Sequence, residues 1–89
     1  MNVIFDSRFS KSIDKLKVES VKLEVIKFIE LAESVNNLKD LSNIKKLKGF
    51  KTFYRYSFDT YRIGFELENQ HSIRLIKVMH RKDIYKKFP

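Results

Sequence analysis

Between Phe53 and His80 the hydrophobic residues change their period, and that change restricts the fold more than any other feature of the chain. In "FYRYSF" Tyr54, Tyr56 and Phe58 alternate with Phe53, Arg55 and Ser57. In "YRIGFELE" Tyr61, Ile63, Phe65 and Leu67 alternate with Arg62, Gly64 and Glu66. A period of two sends successive side chains to opposite faces of an extended strand. Asp59-Thr60 and Asn69-Gln70 interrupt the pattern with turn-forming residues, and "SIRLIKVMH" follows. Aromatic and β-branched residues suit strands, so three strands joined by tight turns are expected as an antiparallel meander.

Upstream the spacing is helical. After Asp6 or Ser7, either of which can cap a helix, Phe9, Ile13 and Leu16 recur at i, i+4 and i+7. A turn at Val18-Glu19-Ser20 leads to a second helix running to about Ser34. There Val21, Val25, Phe28 and Ala32 share one face, and Ile26 and Ile29 widen it. "NVIFD" before the first helix reads as a short strand. Residues 36–49 read as loop with short helical turns, anchored by Leu38, Leu41, Ile44 and Leu47. A short helical turn from Asp83 ends the chain. The expected architecture is α+β, in the order β-α-α-β-β-β. A helical hairpin packs on one face of a mainly antiparallel, four-stranded sheet, in one domain over residues 1–89.

The charge is unevenly placed. The net value is +8, yet residues 1–40 carry seven basic and seven acidic side chains, whereas residues 41–89 carry twelve and four. A one-sided positive field suits a polyanion partner. The chain has no cysteine, hence neither disulfide nor thiolate site, which is compatible with a reducing cytoplasm. "MNVIFDSRF" has no basic segment leading a long apolar one, so no secretory signal is read there. No apolar stretch approaches a membrane span.

On the meander face away from the helices, Arg55 and Arg62 are expected side by side, because same-face residues of adjacent strands are neighbours. Gly64 on that face leaves room for a close approach. "VMHRKDIYKK" should then bring His80, Arg81 and Tyr85 to the same place. That set suits a phosphodiester. Cleaving RNA through its own 2′-hydroxyl needs a base, cations for the charge growing on phosphorus, and an acid for the leaving 5′-oxygen. Histidine titrates in the right range, arginine matches phosphate geometry, and tyrosine can hold a proton or stack on a base. Lys46, Lys48, Lys51, Lys82 and Lys86 are candidates for RNA backbone contacts. No metal site is read: the acidic residues are scattered, and His71 and His80 lack partners at ligand spacing. No cofactor motif occurs. Plainer readings exist for each residue, since arginines can pair with Glu66 and Glu68, Tyr85 can anchor the terminus, and lysine runs are commonly just solvated.

The strand and helix order, with "IKKLKGF" before the meander, "YRIGFEL" within it and "VMHRKDIYKK" at its end, resembles the RelE/ParE superfamily of toxins from type II toxin–antitoxin systems. The resemblance covers nearly the whole chain. It implies a microbial-ribonuclease-like RelE fold and, in the RelE branch, a ribosome-dependent mRNA endonuclease (an mRNA interferase) needing no metal. By position it carries over Arg55, Arg62, Arg81 and Tyr85 as cleavage residues, with His80 where relatives hold a basic residue. Ser57 departs from relatives that have a second basic residue there, which leaves the general base open between His80 and Tyr85. The implied partners are an antitoxin with a partly disordered acidic segment, the ribosome and mRNA. Two alternatives remain: a ParE-like toxin that inhibits DNA gyrase by binding, and a degenerate toxin that only binds its antitoxin and operator.

Overall fold

The computed structural model describes residues 1–89. Its elements are β1 (Asn2–Phe5), α1 (Ser7–Lys15), α2 (Glu19–Ser34), a 3-10 turn (Leu38–Asp40), β2 (Ile44–Lys46), β3 (Phe53–Phe58), β4 (Tyr61–Asn69), β5 (Ser72–His80) and α3 (Arg81–Lys87). The α+β class, the helical hairpin and the meander agree with the sequence pattern. The sheet, however, has five strands in the order β1-β5-β4-β3-β2. The additional strand, β2, pairs antiparallel with β3 inside the segment expected to be loop. At three residues with one apolar side chain, Ile44, it is too short to show a period. β1 pairs parallel with β5, and all other pairings are antiparallel.

The main core lies between the hairpin and one face of the sheet. Phe9 of α1 and Val25, Phe28 and Ala32 of α2 pack on Ile63, Phe65, Ile73, Leu75 and Val78. Phe28 is its centre, with its ring stacked 4.1 Å from Tyr56 and tilted 6.0 Å from Phe65. Burying such side chains stabilises the fold by about 1.5–3 kcal/mol each. Ile29 packs against this core, whereas Ile26, expected on the same stripe, is exposed.

The opposite face of the sheet is not bare. β5 contains one residue too many for its partner: Phe65 faces Leu75 and Gly64 faces Lys77, leaving Ile76 as a bulge. Ile76 joins Ile84 and Phe88 in a second buried cluster, against which Leu47, Phe53 and Met79 pack. This cluster docks α3, which begins at Arg81 and not at Asp83. Gly64 is where the docking is closest. A β-carbon there would lie 2.8 Å from three carbons of the Phe88 ring. The space expected for an approaching ligand is filled by the protein's own C-terminal aromatic.

Local signals explain the helix ends. The Asp6 carboxylate accepts from the Arg8 backbone N–H at 2.9 Å, capping α1, and holds the Arg8 guanidinium through Nε at 2.8 Å and Nη2 at 3.1 Å. His80 caps α3, its Nδ1 accepting from the Lys82 N–H at 3.2 Å.

Two outcomes are expected. Gly64→Ala forces Phe88 out of its seat, lowering stability by about 1–3 kcal/mol as overpacking does and speeding amide exchange in α3 relative to α2. The guanidinium and backbone N–H of Arg8 hold the Asp6 carboxyl well below the ordinary carboxylate range. The folded state therefore keeps Asp6 ionised where the unfolded chain binds a proton, so this contribution is full above the ordinary value and fades as pH falls through it and below. Asp6→Asn should melt earlier than the parent at neutral pH, with the gap narrowing in melts recorded below about pH 4.

Candidate nucleic-acid interface

Arg55 is the centre of the arrangement on the outer face. It lies on β3 with Lys45 of β2 directly opposite and Gly64 of β4 on its other side. Its guanidinium carbon sits 4.7 Å from the centroid of the Tyr85 ring, a distance at which a cation and a π-system attract. Tyr85 is held there by α3 but remains 65% exposed, its phenol facing no hydrogen-bonding partner in the chain. Arg81 stands one helical turn before Tyr85 on the same side of α3, as residues at i and i+4 do. Lys82 and Lys86 form a second exposed pair of the same spacing.

None of these cations is neutralised. The ion pairs of the chain are Arg8–Asp6, Lys27–Glu24 and Arg74–Glu68. Glu66 instead accepts from the Thr52 hydroxyl at 3.0 Å. Neither carboxylate expected to pair with Arg55 or Arg62 does so. Like charges directly opposite on neighbouring strands, here Lys45 and Arg55, destabilise a sheet, and an anion in the groove between them would relieve that.

Arg62 lies on the same face as Arg55 but diagonally, because Arg55 faces Gly64 and Arg62 faces Ser57. Its guanidinium folds onto the β3–β4 turn. Nη1 donates to the carbonyls of Asp59 at 3.1 Å and Tyr61 at 2.8 Å. Its buried Nε has no acceptor. To hold a phosphate, Arg62 would exchange those carbonyls for phosphoryl oxygens.

His80 does not join this group. The bulge at Ile76 reverses the alternation of β5, so Met79 packs on the outer cluster while His80 faces Tyr61 across the strands. Its ring meets Tyr61 edge-on at 5.6 Å. Its Nδ1 is engaged as the cap of α3, accepting from the Lys82 N–H. Of the five side chains expected together, Arg55 and Tyr85 are in contact; Arg81 lies one turn before Tyr85 on α3, Arg62 keeps its guanidinium on the β3–β4 turn, and His80 meets Tyr61 instead. Of the lysines, Lys48 and Lys51 are exposed in the β2–β3 connection, and Lys46, opposite Tyr54 in register, lines the groove with Arg55, Tyr85 and Lys48. Sequence reading passed over Lys45. A strand assignment for Ile44–Lys46 would have placed it beside Arg55.

His80 instead lines a second cleft. β1 stops pairing at Leu75, so the outer edge of β5 is free beyond it. Ser12 Oγ closes part of that edge by accepting from the Val78 N–H at 3.0 Å. Arg8, Lys11 and Lys15, at i, i+3 and i+7 on α1, line this cleft with Lys77 and Lys87; Asp83 is its one acidic side chain. Residues 1–40 are neutral as a sum, yet three of their cations gather here. No three His, Asp or Glu side chains cluster where they could hold a metal ion, and no helix is long and apolar enough to cross a membrane.

Comparison with known proteins accords with this geometry. Residues 3–85 match the family described as the ParE toxin of the type II toxin–antitoxin system parDE. The chain is 37% identical over 90 residues, covering all of both sequences, to Toxin RelE3 of Methanocaldococcus jannaschii. It superposes on the crystal structure of a RelB–RelE antitoxin–toxin complex from Methanococcus jannaschii with a TM-score of 0.80 and 32% identity, over 97% of this chain and 99% of that one. The fold recurs in the toxin–antitoxin complex RelBE2 from Mycobacterium tuberculosis, with a TM-score of 0.69 and 19% identity over 90% of this chain and 96% of that one. The pattern of strands, the docked third helix and these matches agree: the chain belongs to the RelE/ParE superfamily of toxins of type II toxin–antitoxin systems.

Proposed function

We propose that this toxin is a ribosome-dependent mRNA endoribonuclease. The observation that carries the reading is the exposed Tyr85 phenol beside the unneutralised Arg55 guanidinium, 4.7 Å from its ring, with Arg81 one turn away. In this scheme the 2′-oxygen of the message attacks the adjacent phosphorus. A P–O2′ bond forms, the P–O5′ bond breaks, and the products are a 2′,3′-cyclic phosphate and a free 5′-hydroxyl. The proton of the 2′-hydroxyl passes to a base, and the departing 5′-oxygen gains one. Tyr85 is the side chain placed to handle a proton at this point, Arg81 and Arg55 oppose the charge that grows on the phosphoryl oxygens, and Arg62 joins once released from the turn. Lys45, Lys48 and Lys51 contact the flanking backbone. The ribosome orders the message in this small site, and the α1–β5 cleft supplies a second positive surface for ribosomal RNA. The chain acts in the cytoplasm, where its substrate is. Its activity is blocked by a cognate antitoxin, by analogy with the RelB–RelE complex it resembles; an acidic segment of that partner would cover the groove and gain order there.

A second reading follows from the family description, which names ParE: the basic surfaces bind DNA gyrase without chemistry. Translating ribosomes incubated with the protein in EDTA, with cut ends mapped, separate the two when run beside a gyrase supercoiling assay. Cleavage is expected, with supercoiling unaffected. Intact message together with blocked supercoiling overturns the nuclease.

Among variants, Tyr85→Phe keeps the ring under Arg55 but removes the hydroxyl, and should slow cleavage about 10²–10⁴-fold. Arg81→Ala should cost about 10²–10³-fold. His80→Asn keeps a favourable cap and removes the imidazole. Its single-turnover rate should stay within the same decade as the parent, and a loss as large as that of Tyr85→Phe would return the base to His80.

A further inference from the structure

Phe50 stands out among the side chains that neither core needs. It is 43% exposed, in the connection between β2 and β3. Gly49, at φ 86°, makes the turn that presents it, and the Phe50 N–H donates to the Leu47 carbonyl at 3.2 Å. Its ring meets Phe53 edge-to-face at 5.6 Å, and Phe53 meets Phe88 the same way at 5.8 Å. Phe50 is therefore the outermost of three rings whose inner member fills the seat at Gly64. It is braced, not loose.

Phe50 and Tyr85 line one groove together with Lys45, Lys48 and Arg55. Its volume is about 530 Å³, within the roughly 300–1,000 Å³ of small-ligand clefts. Two exposed aromatic rings among cations with no acidic partner is the combination by which single-stranded nucleic acid is held. Rings stack on unpaired bases while the cations follow the backbone. A duplex would hide the base faces that the rings require, and an acidic peptide would use the cations but leave the rings without flat partners.

We propose that Phe50 forms, with Tyr85, a base-stacking subsite that grips an unstacked nucleotide next to the cleaved phosphate, so that the groove selects single-stranded RNA. This rests on the nuclease reading for its place in the reaction, but base stacking can be measured without any cleavage.

The chain contains no tryptophan, so Phe50→Trp introduces a single indole into the groove. Titration with hexa-adenylate RNA should quench its fluorescence, and an abasic oligomer of equal length and charge should bind about tenfold or more weaker, since each stacked base contributes strongly. Equal binding and quenching by the abasic oligomer overturns the proposal in favour of charge alone. No quenching by RNA, with quenching by an acidic peptide, overturns it in favour of a protein-docking surface. Tyr85→Trp, which places the indole on the opposite wall, repeats the measurement if Phe50→Trp disturbs Phe53. In the ribosome assay Phe50→Leu should raise KM with little change in kcat, and Phe50→Trp should restore the parent KM. An unchanged KM in Phe50→Leu counts against the subsite. Base-dependent quenching from a protein that cuts no message would sink the nuclease reading while leaving the stacking subsite in place.

Discussion

One residue in excess on β5 determines how the two faces of this sheet are used. Opposite β4, Leu75 pairs with Phe65 and Lys77 with Gly64, which leaves Ile76 with no partner; a second shift, at Glu68, lies on the β4 side. A bulge costs a ladder position and sharpens the local twist. Because Leu75 faces the helices, Ile76 points outward and becomes the floor on which Ile84 and Phe88 seat α3; the bulge then returns Val78 to the main core and sends Met79, not His80, to the outer cluster. Without this apolar floor, a helix of seven residues rich in lysine would have little to hold it, because short helices depend on packing. The Tyr85–Arg55 contact is thus a product of packing at some remove from it. Ile76 and Met79 seat the helix, the helix positions the phenol, and Gly64 allows the Phe88 ring close enough to complete the fit.

The same bulge accounts for what could and could not be read from the sequence. The meander was plain in β3 and β4, where alternation is strict. The amphipathic helices were plain in Val21, Val25, Phe28 and Ala32. "SIRLIKVMH" reads as one uniform strand, although its adjacent Leu75-Ile76 pair breaks a period of two. A slip of one residue moves every later side chain to the other face, and so His80 was assigned to the group it faces away from. β2 was missed for another reason: its strand character comes from backbone pairing with β3, and three residues with two lysines carry almost no hydrophobic signal. That omission also hid Lys45. Gly64 was recognised as a place of close approach, but a single sequence does not say whether a ligand or the chain itself arrives there. The family, in contrast, was legible from short ordered motifs.

The distribution of charge shows why sums over sequence segments mislead. Residues 1–40 balance to zero, but folding places Arg8, Lys11 and Lys15 along one side of α1, beside Lys77 and Lys87. The molecule then has two positive grooves, one on the outer face of the sheet and one along the β5 edge between α1 and α3. One carries the exposed aromatic side chains Phe50 and Tyr85. The other is framed by helices and carries almost none. A partner that wraps the protein can engage both, while a short stretch of message needs only the first.

Leaving Lys45 opposite Arg55 with no carboxylate nearby has a consequence for how the protein responds to its solvent. At about 0.15 M ionic strength exposed charges are felt over roughly 8 Å, so added salt quiets the repulsion the groove carries when empty and makes the free fold firmer. The same ions weaken the grip on any polyanion. Stability and binding therefore move in opposite directions as salt rises, and the chain is held together least well under the dilute conditions in which it holds its ligand best.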